Sequence, residues 1–324
     1  MTDGPRLAHL PTPLEPADRL GARLGLAAGR LWVKRDDCTG LAMGGNKARK
    51  LELLVADALA LGADTLVSAG GLQSNHARMT AAAASRAGLR CVLAFNAPPP
   101  DRLEANQVLD VLLGSERRFL GPIAMDELNA TLGRIADELR RDGRRPYVIP
   151  IGGSSPLGAS AYVAAADEIL VDLGHEDLLV VTATGSGGTH AGLAARLGHE
   201  RVMGVDVGAI VDPASTVRTR AVEVAALVGL PRPSGEPWLV RDQVGERYGA
   251  PTGACRDALL LAARLEGLLL DPVYSGKALA GLVALPPGSV PHRVIVFLAT
   301  GGAPALFASR YQEWLAGDAD AGPA

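Results

Sequence analysis

Apolar residues in this chain follow two alternating rhythms. Short runs of apolar and β-branched residues at 31–34, 65–68, 91–95, 147–150, 178–184, 202–207 and 294–299 predict strands. Between them, apolar positions recur at helical spacing. They are Leu51, Leu54, Val55, Ala58 and Leu61 in 48–61, and Leu128, Leu132, Ile135 and Leu139 in 126–141. Further helices are predicted over 74–87, 103–113, 213–229, 254–266, 274–285 and 303–315, and one directly after 185–189. The Pro/Gly/Trp-rich stretch 231–248 is expected to be irregular, and the small acidic tail from Gly317 to fray.

Strands alternating with helices of this length predict an α/β fold of βαβ units around parallel sheets. In such sheets ligands bind beyond the carboxyl ends of the strands, which directs attention to the strand-to-helix turns. Four turns are rich in glycine and hydroxyl residues: 70–75, 152–155, 184–189 and 300–302.

Composition narrows the class. A chain of 324 residues with 48% hydrophobic and 21% charged residues can bury a full core, and its net charge of −3 offers no pull toward nucleic acid or an anionic membrane. No apolar run approaches the roughly 18 residues of a membrane helix. The amino terminus lacks a signal-type apolar core. The cysteines Cys38, Cys91 and Cys255 are scattered and form no CxxC pair. These features lead us to expect a cytoplasmic protein without a disulfide framework, and no metal site is expected.

Only four of the 32 Lys+Arg residues are lysine, and two of them, Lys47 and Lys50, stand in Gly44-Gly45-Asn46-Lys47-Ala48-Arg49-Lys50. Where arginine is the default cation, a retained lysine suggests chemistry that guanidinium cannot do, such as attack on a carbonyl. The plain alternative is a pair of solvated cations in a first helical turn. The turn Thr184-Gly185-Ser186-Gly187-Gly188-Thr189 opens a helix and leaves backbone N–H groups and two hydroxyls free to converge on an anion. No Gly-Lys-Ser/Thr follows it, so it is not a Walker loop. A dinucleotide fingerprint is met only loosely, by Gly185, Gly187 and His190 with Asp206 as the acidic residue. A monophosphate cradle and a nucleophilic lysine in one chain point to pyridoxal 5'-phosphate as a single cofactor.

The chain resembles the fold-type II (tryptophan synthase β-like) pyridoxal-phosphate enzymes, in the branch of 1-aminocyclopropane-1-carboxylate deaminase and D-cysteine desulfhydrase. The stretches that carry the resemblance are 44–52, Gln73-Ser74-Asn75-His76-Ala77-Arg78, 146–150 with Gly152-Gly153-Ser154, 185–192, Leu270-Asp271-Pro272-Val273-Tyr274-Ser275-Gly276-Lys277 and 300–306. They run in family order over nearly the whole chain. The resemblance implies two open, twisted, mostly parallel sheets flanked by helices. It also implies a small α/β domain at 53–155 inserted in a large pyridoxal-phosphate domain made of 1–52 and 156–324. A homodimer is expected by analogy.

By the same resemblance Lys47 is the Schiff-base lysine, and Lys50 reaches the cofactor phosphate in the cradle of Gly185, Ser186, Gly187, Gly188 and Thr189. Asn75 is the partner of the phenolic oxygen. Ser74, Asn75, His76 and Ser275 lie near the substrate, and Tyr248 and Tyr274 match two active-site tyrosines. The plain alternatives are a helix N-cap for Ser74 and Asn75 and a half-buried tyrosine for Tyr274. For His76 a satisfied polar or stacking residue is favoured over a general base.

Two positions discriminate inside the branch. The cyclopropane deaminases carry Glu after the tyrosine of Asp-Pro-Val-Tyr, and Leu before the later Gly-Gly. This chain has Ser275 and Thr300, the pattern of the desulfhydrases. A hydroxyl at the pyridine nitrogen supports a milder electron sink, adequate for losing a good β-leaving group. The resemblance therefore implies β-elimination from a small amino acid, D-cysteine first. Cyclopropane-carboxylate deamination, or cysteate or 3-chloroalanine elimination, are the alternatives.

Overall fold

Strands that are apolar on both sides need cover on both sides, and the chain supplies it with helices. The computed structural model describes residues 4–316 apart from 176 and 287, so the expected fraying from Gly317 lies outside the described residues. Among these, the larger sheet has six strands: β1 (Leu14–Pro16), β2 (Leu31–Lys34), β7 (Leu178–Thr184), β8 (Val202–Asp206), β9 (Trp238–Val240) and β10 (Val294–Leu298). Their spatial order is β1-β2-β10-β7-β8-β9. Only β1 runs antiparallel to its neighbour; the other pairs are parallel. The smaller sheet contains β3 (Thr65–Gly70), β4 (Arg90–Phe95), β5 (Glu116–Phe119) and β6 (Pro146–Val148), in the order β5-β4-β3-β6 and wholly parallel.

Eleven α-helices accompany them among the described residues. Around the larger sheet are α1 (Asp18–Arg23), α6 (Pro156–Leu173), α7 (Gly188–Leu197), α8 (Pro213–Val228), α9 (Gly253–Glu266), α10 (Ser275–Val283) and α11 (Ser309–Ala316). Around the smaller one are α2 (Lys47–Ala60), α3 (Asn75–Ala87), α4 (Asn106–Leu112) and α5 (Met125–Arg141).

Period-two alternation sends successive strand residues to opposite cores. Leu179, Val181, Ile295 and Phe297 enter one core with α9 and α10, whereas Leu178, Val180, Val294 and Val296 enter the other with α6 and α7. In the smaller sheet Leu66 and Leu93 pack with α2 and α3, and Val67 and Val92 with α5. Local signals set the helix starts. Ser74, Ser155, Asp212 and Thr252 each accept an N–H from the first turn of α3, α6, α8 and α9 respectively.

The structure departs from the sequence reading in four places. The 18-residue helix α6 was not anticipated, because it packs against α2, α7 and α8 and has no clean polar face to set its period. The short helix α1 and the short strands β1, β5 and β9 also went unread; β5 is an edge strand carrying Glu116, Arg117 and Arg118. The helix expected over 103–113 begins only at Asn106, after Ala105 at φ 51° and ψ −122°. The closing helix over 303–315 is broken: a 3-10 turn at Ala303–Phe307 ends at extended Ala308, and α11 follows.

Candidate active site

The carboxyl ends of both sheets face one cleft of about 790 Å³. The turn after β7 contributes Gly185, Ser186, Gly187 and Thr189, and the turn after β10 contributes Thr300 and Gly301. The turn after β3 supplies Gly70, Gly71, Ser74, Asn75 and His76, and the segment after β6 supplies Gly152 and Ser154. Lys47, Tyr248 and Tyr274 line the same space. All four glycine-rich turns singled out in the sequence thus converge.

Lys47 is the first residue of α2. Its Nζ donates to Asn46 Oδ1 at 3.0 Å, and Asn46 Nδ2 donates to Thr189 Oγ1 at 3.0 Å, tying the amine to the glycine loop. Burial pulls the Lys47 pKa down to about 8, against the opposing charge of Asp271. A buried network anchors the helix that carries this lysine. Arg49 donates to Asp36 at 2.9–3.0 Å and to Glu168 on α6 at 2.7 Å, while the Tyr162 hydroxyl donates to Asp36 Oδ2 at 2.6 Å. Burial works to raise the Glu168 carboxyl, but Arg49 and Lys34 hold it below its ordinary range.

The glycine loop is built for close approach. Gly187 adopts φ 81°, which favours glycine, and a Cβ at Gly188 would stand 2.8 Å from both Lys50 Nζ and Ser154 Oγ. The first N–H groups of α7 have no intrahelical acceptor and are aimed at the cleft. Ser154 and Ser186 share a hydrogen bond between their hydroxyls. Lys50 lies beneath the loop, fully buried. Its one protein acceptor among the described residues is Gly152 O at 3.4 Å, and its Nζ sits 5.8 Å from the Tyr162 ring centre. Burial first, then Lys47 and Arg220, push its pKa well below the usual lysine value. Arg220, on α8, also lines the cleft and leaves a buried Nη1 without a partner.

Ser74 serves as the N-cap of α3, its Oγ accepting from Ala77 N at 3.1 Å, and it lines the cleft as well. Its hydroxyl proton remains free to donate. Ser68 Oγ donates to Ile149 O at 2.8 Å, so in its 2.9 Å contact with His76 Nε2 the imidazole is the donor. Nδ1 is left as a buried lone pair without a protein partner. Burial, reinforced by Lys47 and Lys50, pushes the His76 pKa well below the ordinary range. So weak a base is not suited to taking a proton from carbon.

Tyr248 and Tyr274 share a hydrogen bond between their hydroxyls, with ring centres 6.1 Å apart. Burial pushes both phenols up. Asp271 fixes the start of α10. Its buried carboxylate accepts from the N–H groups of Val273 and Tyr274 at 2.9 Å and of Ser275 at 2.7 Å, and from Ser275 Oγ at 2.6 Å.

Ser275 departs from its expected contact with substrate. It is buried and does not line the cleft; its hydroxyl donates to Asp271 and accepts from Asp271 N at 2.8 Å. A four-residue return to the Asp271 carboxylate satisfies it locally. Thr300 does face the cleft, and its hydroxyl has no protein partner among the described residues.

The donor set suits pyridoxal phosphate. Lys47, Lys50 and Arg220 put three basic groups around the glycine loop, and Lys50, buried with only a distant carbonyl acceptor, would find in a bound anion the partner its charged form lacks. Lys50, Ser154, Ser186 and the first N–H groups of α7 would hold the phosphate, and Lys47 would meet the aldehyde. Asn75 and Thr300 would face the ring oxygen and ring nitrogen. Asn46, Ser154 and Arg220 were not identified in the sequence as site residues. Ser154 lay in a turn already marked as informative, whereas nothing in the helical pattern of α8 distinguishes Arg220 from its other arginine, Arg218.

The family described as "Pyridoxal-phosphate dependent enzyme" matches residues 6–301. D-cysteine desulfhydrases of Salmonella schwarzengrund (strain CVM19633) and Salmonella typhi are each 43% identical over 95% of this chain and 97% of their own length. Among solved structures, an ACC deaminase homologue superposes with a TM-score of 0.87 at 38% identity, covering 97% of this chain and 96% of that one. O-ureido-L-serine synthase shares the fold, with a TM-score of 0.66 at 20% identity over 98% of this chain and 96% of its own.

Proposed function

We propose that this chain, which belongs to the pyridoxal-phosphate-dependent enzyme family, is a carbon–sulfur lyase. Its substrate is D-cysteine, and water completes the reaction to pyruvate, ammonia and hydrogen sulfide. The observation that carries this reading is Thr300. Its hydroxyl faces the cleft just beyond β10, at the position where the cyclopropane deaminases carry leucine, and so follows the pattern of the desulfhydrases. The 43% identity to D-cysteine desulfhydrases over 95% of the chain supports it.

Bound pyridoxal phosphate supplies the electron sink that stabilises negative charge at the substrate Cα. The protein does the rest. The substrate carboxylate is held at the start of α3, where the N–H groups of Asn75 and His76 have no intrahelical acceptor and Ser74 can donate its hydroxyl proton. Lys47, with a pKa of about 8, is neutral often enough near neutral pH to take the Cα proton. The Tyr248–Tyr274 pair, buried and protonated, stands at the cleft to hand a proton to the departing sulfur. Arg220 and Lys50 balance the phosphate charge.

Residues 53–155 are read as a domain inserted between 1–52 and 156–324. The enzyme is read as a homodimer of the cytoplasm, a compartment supported by three unpaired cysteines. No helix of the described residues is long and apolar enough to cross a membrane.

The test is a product assay over D-cysteine, L-cysteine, cysteate, 3-chloro-D-alanine and 1-aminocyclopropane-1-carboxylate. Sulfide and pyruvate formed fastest from D-cysteine support the proposal. Ammonia and 2-oxobutyrate formed faster from the cyclopropane substrate would replace it with deamination.

A further inference from the structure

The start of α4 contains an arrangement that the residues assigned so far do not explain. Ala105, just before the helix, has φ 51° and ψ −122°, a strained conformation for a residue other than glycine. It delivers Asn106, which is fully buried. Asn106 N donates to Gln73 Oε1 at 3.0 Å, and Asn106 Nδ2 donates to Gln73 O and to Asn75 Oδ1, each at 3.0 Å. Gln73 Nε2 returns a hydrogen bond to Glu104 O at 3.2 Å. Two helix starts are thereby stitched together, 73–75 at the beginning of α3 and 104–106 at the beginning of α4.

The bonding fixes amide orientation by elimination. Gln73 O is a backbone carbonyl and can only accept, so the Asn106 atom facing it is the NH2 group. The same NH2 group faces Asn75, so the Asn75 atom there is the carbonyl oxygen. Asn75 must then turn its own NH2 group away, and a Cβ on Gly302 would stand 2.7 Å from that nitrogen, beside the cleft wall at Thr300 and Gly301. Asn106 Oδ1 is left buried without a partner, so the arrangement keeps the donor end of Asn106 in use and leaves the acceptor end idle.

We propose that Asn106 is a positioning residue. It locks the Asn75 side chain so that a donor, not an acceptor, is offered to the phenolic oxygen of the cofactor ring. The inference rests on the pyridoxal phosphate reading above. A donor at that oxygen stabilises its deprotonated form and lowers the proton affinity of the bound chromophore.

The test is the pH titration of the visible absorbance of the bound cofactor. Asn106→Asp keeps the shape but can no longer donate, so Asn75 turns its carbonyl toward the ring. The midpoint is expected to rise by roughly one pH unit, the effect of one hydrogen bond of ordinary strength. Asn75→Ala is expected to raise it similarly, and the double variant no further than Asn75→Ala alone. Asn106→Leu removes the donor without adding charge and is expected to move the midpoint the same way if the carboxylate variant does not fold. Midpoints unmoved in both Asn106 variants, or shifts that add in the double variant, overturn the inference. Wild-type protein that develops no visible band overturns the cofactor reading instead.

Discussion

Replacing Lys50 by methionine should help the cofactor-free protein and harm the cofactor-loaded one. The side chain is fully buried, its amine has a single carbonyl at 3.4 Å, and Lys47 and Arg220 repel it. Burial and these two cations put its folded pKa well below the ordinary 10.5. Between the folded value and 10.5 the unfolded chain binds more protons, so wild-type stability rises with pH across that window. Methionine, of similar length and no charge, removes the slope. The variant's advantage in urea unfolding should be greatest at low pH and shrink as the pH approaches 10.5. With cofactor the sign reverses. A charge-assisted hydrogen bond to phosphate is worth about 1.5–3 kcal/mol, so the dissociation constant should rise roughly 10- to 150-fold. The assays are urea unfolding of the apoprotein over a pH series and absorbance titration with pyridoxal phosphate. A variant apoprotein that is less stable at low pH, or one that keeps wild-type cofactor affinity, would refute the placement of Lys50 as an uncompensated cation under the loop.

Lys47 should show the same sign in a window that can be named. Its unfavourable contribution to apoprotein stability is fully present below about 8 and is relieved as the pH rises toward 10.5, an interval worth ~3 kcal/mol that Lys47→Met should abolish in the same unfolding series. Tyr274→Phe should keep the cofactor absorbance while lowering kcat/KM for D-cysteine by roughly 10²- to 10⁴-fold, read by sulfide release. Arg49→Met leaves the buried Asp36 carboxylate without its cation, while Glu168 keeps Lys34, and should cost about 3–5 kcal/mol in urea unfolding.

The chemistry of the site was more legible in the sequence than its support. Lys47 stood out because lysine is scarce, and 184–189 because three glycines at a strand end have few other uses. The parallel sheets followed from strands that are apolar on both faces, such as 178–184. What remained hidden depends on contacts distant in sequence. Asp36, Arg49, Tyr162 and Glu168 meet only after α2 and α6 pack, and α6 itself shows no clean helical stripe because neighbours cover it. Ser275 was read as facing the cleft, but its orientation is decided by the carboxylate of Asp271 four residues earlier. Asn106 could not be singled out either. Its role depends on Ala105 adopting a backbone conformation that alanine ordinarily avoids.

The central claim, that one particular amine anchors the cofactor, can be tested directly because the chain has only four lysines: Lys34, Lys47, Lys50 and Lys277. Borohydride reduction of the cofactor-loaded protein, followed by peptide mass spectrometry, should find the added mass on Lys47 alone. Attachment at Lys50 or at another lysine, or no attachment in protein that has bound the cofactor, would contradict it.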